Sequence, residues 1–167
     1  MKRRQGEPWM AAGTYARSLS GLTVNLLVHQ IDAALDFHER VLLVKAIYSD
    51  PDFAVVRGYD AEWILHADHT YDEHPARKRL QAFPQRGGAL ELRLHGCDPD
   101  AAARRAQALG YEVIQTPTDK AHGLRETYLV DSDGYLWVPD IPIGFVLKRE
   151  HNLRPKYLCQ CWSLTHN

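Results

Sequence analysis

Two short stretches of this chain place a carboxylate and an imidazole at alternate residues. In AEWILHAD the pair is Glu62 and His66, with Ile64 between them. In ALELRLHG it is Glu91 and His95, with Arg93 between them. An extended strand sends residues i, i+2 and i+4 to one side, so each trio shares a face. Carboxylates gathered on such a face orient a cationic or hydrogen-bond-donating compound, or act as Brønsted bases once their pKa is shifted. The plainer alternative is that Glu62 and Glu91 are ion-paired with Arg57, Arg93 or Arg125, because partly buried polar groups need partners. Other donor spacings are weaker. His69, Asp72 and His74 form His-x-x-Asp-x-His in a polar loop, the setting of a solvated surface, and Cys159-x-Cys161 lacks the four ligands usual for structural zinc. That C-x-C pair suits a soft metal, oxidation, or no role at all.

The elements that carry these trios occur twice. Leu22 to His66 reads as LTVNLLV, a strand, then IDAALDFHERVL, a helix, then the strands FAVVR and AEWILHAD. Ala89 to Asp140 repeats the order with ALELRL, DPDAAARRAQALG, YEVIQ, ETYLVD and YLWV. Alternation in the first strand sends Leu22, Val24, Leu26 and Val28 one way and Thr23, Asn25, Leu27 and His29 the other. The helix after it carries Ile31, Ala34, Leu35, His38, Val41 and Leu42 as an apolar stripe able to cover that strand. In the second copy Leu90, Leu92 and Leu94 oppose Glu91, Arg93 and His95. Asp98 is the predicted N-cap, Pro99 the first helical residue and Gly110 the left-handed stop. Trp63 and Trp137 have core-facing parity, whereas Glu126 and Tyr128 share a face directed at a cleft.

The chain of 167 residues has 45% hydrophobic and 25% charged residues, which suits a single globular domain or two small modules with one core. A net charge of -1 gives no bulk attraction to nucleic acid or anionic membrane, and neither partner is expected. No apolar run reaches the roughly 18 residues of a membrane span. The basic start MKRR is interrupted before any signal-like apolar core, so a cytoplasmic protein is expected. Three cysteines do not make a secreted disulfide framework. Residues 1–21 read as an N-terminal arm with partial mobility. Residues 22–143 form the paired domain, with module one at 22–66, a connector at 67–88 and module two at 89–143. Residues 144–167 form a C-terminal tail.

The duplicated strand-helix-strand-strand-strand plan resembles the vicinal oxygen chelate superfamily, which includes the glyoxalase, bleomycin-resistance and extradiol-dioxygenase families. The resemblance covers about Leu22 to Ile143. Leu35-Asp36-Phe37-His38 is similar to the family's acidic-or-polar, Phe, Tyr pattern, and Asp131-Ser132-Asp133-Gly134-Tyr135 to its D-P-D-G-Y turn. His122-Gly123-Leu124-Arg125-Glu126 is similar to the W-G-x-R-E segment of the bleomycin-resistance-like branch, with His122 in place of Trp. The fold implied is α+β, with two tandem βαβββ modules forming a curled mixed sheet of half-barrels and helices on the convex side. Strand parity then assigns Thr23, Asn25, Glu62, His66, Glu91, Arg93, His95, Glu126, Tyr128 and Val138 to the concave cleft.

In metal-using members the matching ligand positions are Thr23, Glu62, Glu91 and Val138. A valine has no donor atom, so no cofactor and no metal are expected. If a divalent metal is present, the resemblance leaves Glu62, His66, Glu91 and His95 to hold it. The function implied is binding of a small organic molecule. The alternative is a divalent-metal-dependent lyase or dioxygenase using that shifted ligand set. A third reading is an interaction module, with the arm and the segment IPIGFVL joining protomers; a homodimer is expected.

Overall fold

The computed structural model describes residues 2–81 and 86–144. A short helix α1 (Ala12–Ser18) precedes module one, which comprises β1 (Val24–Val28), α2 (Ile31–Arg40), β2 (Lys45–Ser49), β3 (Phe53–Gly58) and β4 (Ala61–Ala67). A 3-10 turn (Asp68–Tyr71) and α3 (Arg77–Gln81) lead towards module two: β5 (Glu91–His95), α4 (Pro99–Ala108), β6 (Glu112–Asp119), β7 (Leu124–Val130) and β8 (Leu136–Pro142). The two sheets have matching orders, β1-β4-β3-β2 and β5-β8-β7-β6. In each the first and last strands pair in parallel, which the intervening helix makes possible, and the other pairs are antiparallel. This is the predicted α+β fold of two modules.

Local chemistry sets the boundaries. The Asp98 side chain accepts hydrogen bonds from the backbone N–H groups of Asp100 and Ala101, and Pro99 opens α4. Gly110 follows at φ +80°, where a side chain would be strained. In the turn between β7 and β8, buried Asp131 does the work. Its Oδ1 accepts from the N–H groups of Asp133 and Tyr135, and its Oδ2 accepts from Trp137 Nε1. The first strand is shorter than its alternation predicts: it starts at Val24, where pairing with Trp63 begins, and leaves Leu22 91% exposed.

The helix-facing residues of both sheets belong to one core. Leu26, Val28, Trp63 and Leu65 from module one join Leu94, Leu129 and Trp137 from module two, with Phe37 of α2 and Ala102 and Ala106 of α4 among them. Trp63 and Trp137 meet with ring centroids 5.4 Å apart, confirming their core-facing parity. Polar ties reinforce this packing. Arg105 Nε donates to Val41 O at 2.8 Å, and the Tyr111 hydroxyl donates to Asp36 at 2.8 Å. On the open edge of β1, Leu27 O accepts from the Tyr135 hydroxyl at 2.9 Å and from Arg86 Nη1 at 2.8 Å, while the His29 N–H donates to Asp133 at 2.7 Å. Each sheet turns one face to the shared core, so its other face points away from it. The polar residues of the two modules therefore lie on separate faces.

Candidate functional site

On the outer face of module one, the chain's own N-terminal arm forms a roof. The Asp52 carboxylate anchors it, accepting from the N–H groups of Arg3 (2.7 Å) and Arg4 (3.2 Å), with His69 Nε2 also at 2.7 Å. Further along, Trp9 stacks on Tyr48 of β2 at 5.7 Å and 18°, and Tyr15 of α1 meets Phe53 of β3 edge-on at 5.9 Å. The Tyr15 hydroxyl donates to Glu62 Oε1 at 3.1 Å, while Arg57 donates to Glu62 Oε2 at 2.6 Å. Burial and the bond to Glu62 push the Tyr15 hydroxyl up to about 12. The arm, expected from the sequence to be partly mobile, supplies one wall of the site.

Between arm and sheet lies a cavity of about 900 Å³. Six of its lining side chains form a continuous series of rings: Trp9, Tyr48, Phe53, His66, Tyr71 and His74, with successive centroids 5.7, 6.3, 4.7, 5.6 and 4.5 Å apart. Ring walls of this kind suit a flat apolar ligand. Polar groups are few and fixed. Asn25 Nδ2 donates to the Tyr71 hydroxyl at 2.6 Å, and Asn25 Oδ1 pairs with His66 Nδ1 at 2.8 Å. Burial lowers the His66 pKa, against a smaller opposing influence from Asp50, and this favours the neutral ring.

The outer face of module two carries a polar network built around Glu126 and Asp140. Glu126 is buried and bonded to Arg93, to the Tyr128 hydroxyl (2.6 Å) and, more loosely, to His122 (3.4 Å) and Lys120 (3.7 Å). Burial opposes its ionisation, yet the hydrogen bonds from Tyr128 and Arg93 prevail and hold it down at about 2. Buried Asp140 accepts from Arg93 at 3.3 Å and faces His95 Nδ1 at 2.7 Å. Glu91 pairs with Arg93 at 3.4 Å. Val138 lies beneath this network with no exposure. Arg125 ties β7 to Asp100 of α4 and Asp119 of β6.

The residues assigned to one cleft are thus divided. Asn25, Glu62 and His66 are on the outer face of module one, and Thr23 immediately precedes β1; of these, His66 lines the cavity. Glu91, Arg93, His95, Glu126, Tyr128 and Val138 are on module two. Ion pairing is what Glu62 and Glu91 do, Glu62 with Arg57 and Glu91 with Arg93, whereas Arg125 serves other carboxylates. The family's metal positions do not fit an ion here. Val138 offers no donor, both oxygens of Glu62 are engaged by Tyr15 and Arg57, and Glu91 pairs with Arg93. Among the described residues, no group of three or more His, Cys, Asp or Glu side chains is arranged to hold a metal. The ring wall supplied by Trp9, Tyr15 and Tyr48, and the part played by Asp52, His69 and His74, are additions from the structure. Cys159 and Cys161 lie outside the described residues, as does IPIGFVL beyond Gly144. No helix among the described residues is long and apolar enough to cross a membrane.

Comparison with known proteins agrees with this architecture. The family model described as Glyoxalase/Bleomycin resistance protein/Dioxygenase superfamily matches residues 22–138. A glyoxalase/bleomycin resistance protein/dioxygenase family enzyme from Burkholderia phytofirmans PsJN is similar in structure, with TM-score 0.61 and 16% identity over 72% of this chain and 97% of that one. A glyoxalase/bleomycin resistance protein/dioxygenase from Nocardioides gives TM-score 0.56 and 21% identity over 83% and 98%. TioX from Micromonospora sp. ML1 gives 0.55 and 22% over 73% and 95%. No curated protein matches the chain. With the family model spanning most of the sequence and both βαβββ modules in place, the chain belongs to the glyoxalase, bleomycin resistance protein and dioxygenase superfamily.

Proposed function

We propose that this protein is a bleomycin-resistance-like binder that holds a small planar organic molecule in the module-one cavity, without a catalytic metal. The observation that carries the reading is the unbroken series of rings from Trp9 to His74 along a cavity of about 900 Å³, a volume suited to a small organic ligand. Two of its walls come from different parts of the chain, the arm and the sheet, so a ligand between them contacts both. The metal-dependent lyase or dioxygenase reading has less support, since in its shifted donor set Glu62 is paired with Arg57, Glu91 with Arg93, His66 with Asn25 and His95 with Asp140.

Isothermal titration with the planar probes 1-naphthol and 1-methoxynaphthalene tests the proposal. One molecule should bind per chain, and Trp9→Ala should weaken binding by about tenfold, the scale of one lost aromatic contact. Failure of both probes to bind, or indifference to Trp9→Ala, removes this site. A tightly held divalent ion at one per chain in elemental analysis would restore the metal-dependent reading.

A further inference from the structure

Resting on the ring-lined cavity as the binding site, we infer that its ligand is an uncharged aromatic bearing an O–H or N–H donor, received by Nε2 of His66. The assignment follows from a relay fixed by the fold. Asn25 on β1 stands opposite Ile64 in the parallel pairing, two residues out of register with His66 of β4 and on the same face of the sheet. Its amide spans the gap to the 3-10 turn: Nδ2 donates to the Tyr71 hydroxyl, which leaves Oδ1 only able to accept. His66 Nδ1, 2.8 Å away, is therefore the protonated nitrogen of the ring. A neutral imidazole with its proton on Nδ1 presents a lone pair at Nε2.

That nitrogen has no partner among the described residues, and the ring carrying it is part of the cavity wall. His66 is wedged between Phe53 at 4.7 Å and Tyr71 at 5.6 Å, so both its tautomer and its plane are set before a ligand arrives. A polar acceptor fixed among rings selects for a donor, because a ligand lacking one leaves the nitrogen without a hydrogen bond once water is displaced. The formal charges along the wall are of both signs: Lys2 and Arg4 against Glu7, Asp72 and Glu73, with Arg4 also 3.6 Å from Asp50. No single-sign field draws in an ion, which is why the ligand is assigned as uncharged.

The probes are 1-naphthol and 1-methoxynaphthalene, which share a ring system and differ in the donor. Wild type should bind 1-naphthol about tenfold more tightly, the upper range for one neutral hydrogen bond. His66→Phe keeps a ring at this place and should erase the preference by weakening 1-naphthol alone. Equal binding of both probes by wild type would overturn the inference while leaving the ring-lined site standing. Failure of both to bind would remove the site and the inference together. A preference that survives in His66→Phe would also overturn it. Independently of any variant, long-range ¹H–¹⁵N spectra of wild type should show Nδ1 protonated and the Nε2 resonance moving with 1-naphthol but not with its methyl ether. A proton on Nε2 in the free protein would refute the relay.

Discussion

Lowering the pH should destabilise this protein through one buried side chain, His38. It has no exposure, packs against Trp63 at 5.8 Å and Trp137 at 5.1 Å, and donates from Nδ1 to Ala34 O at 2.8 Å. Its Nε2 has no hydrogen-bond partner. Burial drives the pKa from 6.5 down to about 4, the bond to Ala34 offsetting only part of that. The folded state then binds fewer protons than the unfolded state between these values, so stability falls as pH drops from about 6.5 to 4 and levels off below. Linkage gives a loss of about 2 kcal/mol between pH 7.5 and 5, rising to about 3 kcal/mol at the lower plateau. Denaturant unfolding of wild type and His38→Leu at both pH values isolates the effect, because every other titrating group is common to the two proteins. The variant should lie within about 1.5 kcal/mol of wild type at pH 7.5, since the volumes are similar. It should also lose about 2 kcal/mol less than wild type on acidification. Equal losses in the two proteins would show that His38 is not the buried neutral group described here.

Two further outcomes concern the two outer faces. Arg93→Ala removes the cation shared by the buried Glu126 and Asp140 carboxylates and should cost roughly 2–4 kcal/mol in denaturant unfolding, the lower part of this range reflecting the partial exposure of Arg93. Because Glu126 is depressed from 4.5 to about 2, its contribution is present above about 4.5 and disappears as pH falls towards 2, so the variant's deficit should shrink in acid; a constant deficit would contradict the pairing. Asp52→Ala withdraws the acceptor shared by the Arg3 and Arg4 N–H groups and His69, and limited proteolysis should then cut within residues 2–20 much faster than in wild type, whereas an unchanged cleavage rate would mean that the arm is held by its rings alone.

Much of the scaffold was legible in the sequence because it depends on local pattern. Alternation fixed which way Trp63, Leu65, Leu94 and Trp137 face, and Asp98-Pro99 with Gly110 marked both ends of α4. The strand Lys45–Ser49 is harder to see, since KAIYS has a β-bulge within its pairing and no buried residue. The site was less legible for two physical reasons. Parity tells which face of a sheet a residue occupies, but not how two sheets are placed relative to each other, so it could not say that Glu62 and Glu91 would each be taken up by an arginine of their own sheet. The roof depends on contacts made far along the chain: Trp9 on Tyr48, Tyr15 on Phe53 and Asp52 on the Arg3 and Arg4 N–H groups leave no period in residues 2–20. His38 was visible only as one more position on an apolar stripe, because a stripe does not record that a ring nitrogen goes unsatisfied.

Leu27 O and the His29 N–H are the pair of backbone groups that an incoming strand would seize on the outer side of β1. Tyr135, Arg86 and Asp133 hold both groups already. The turn that closes module two therefore also insulates the vulnerable margin of module one against strand addition by another chain. Loosening that turn would expose an adhesive border before it disturbed either sheet, and insolubility would be its earliest symptom.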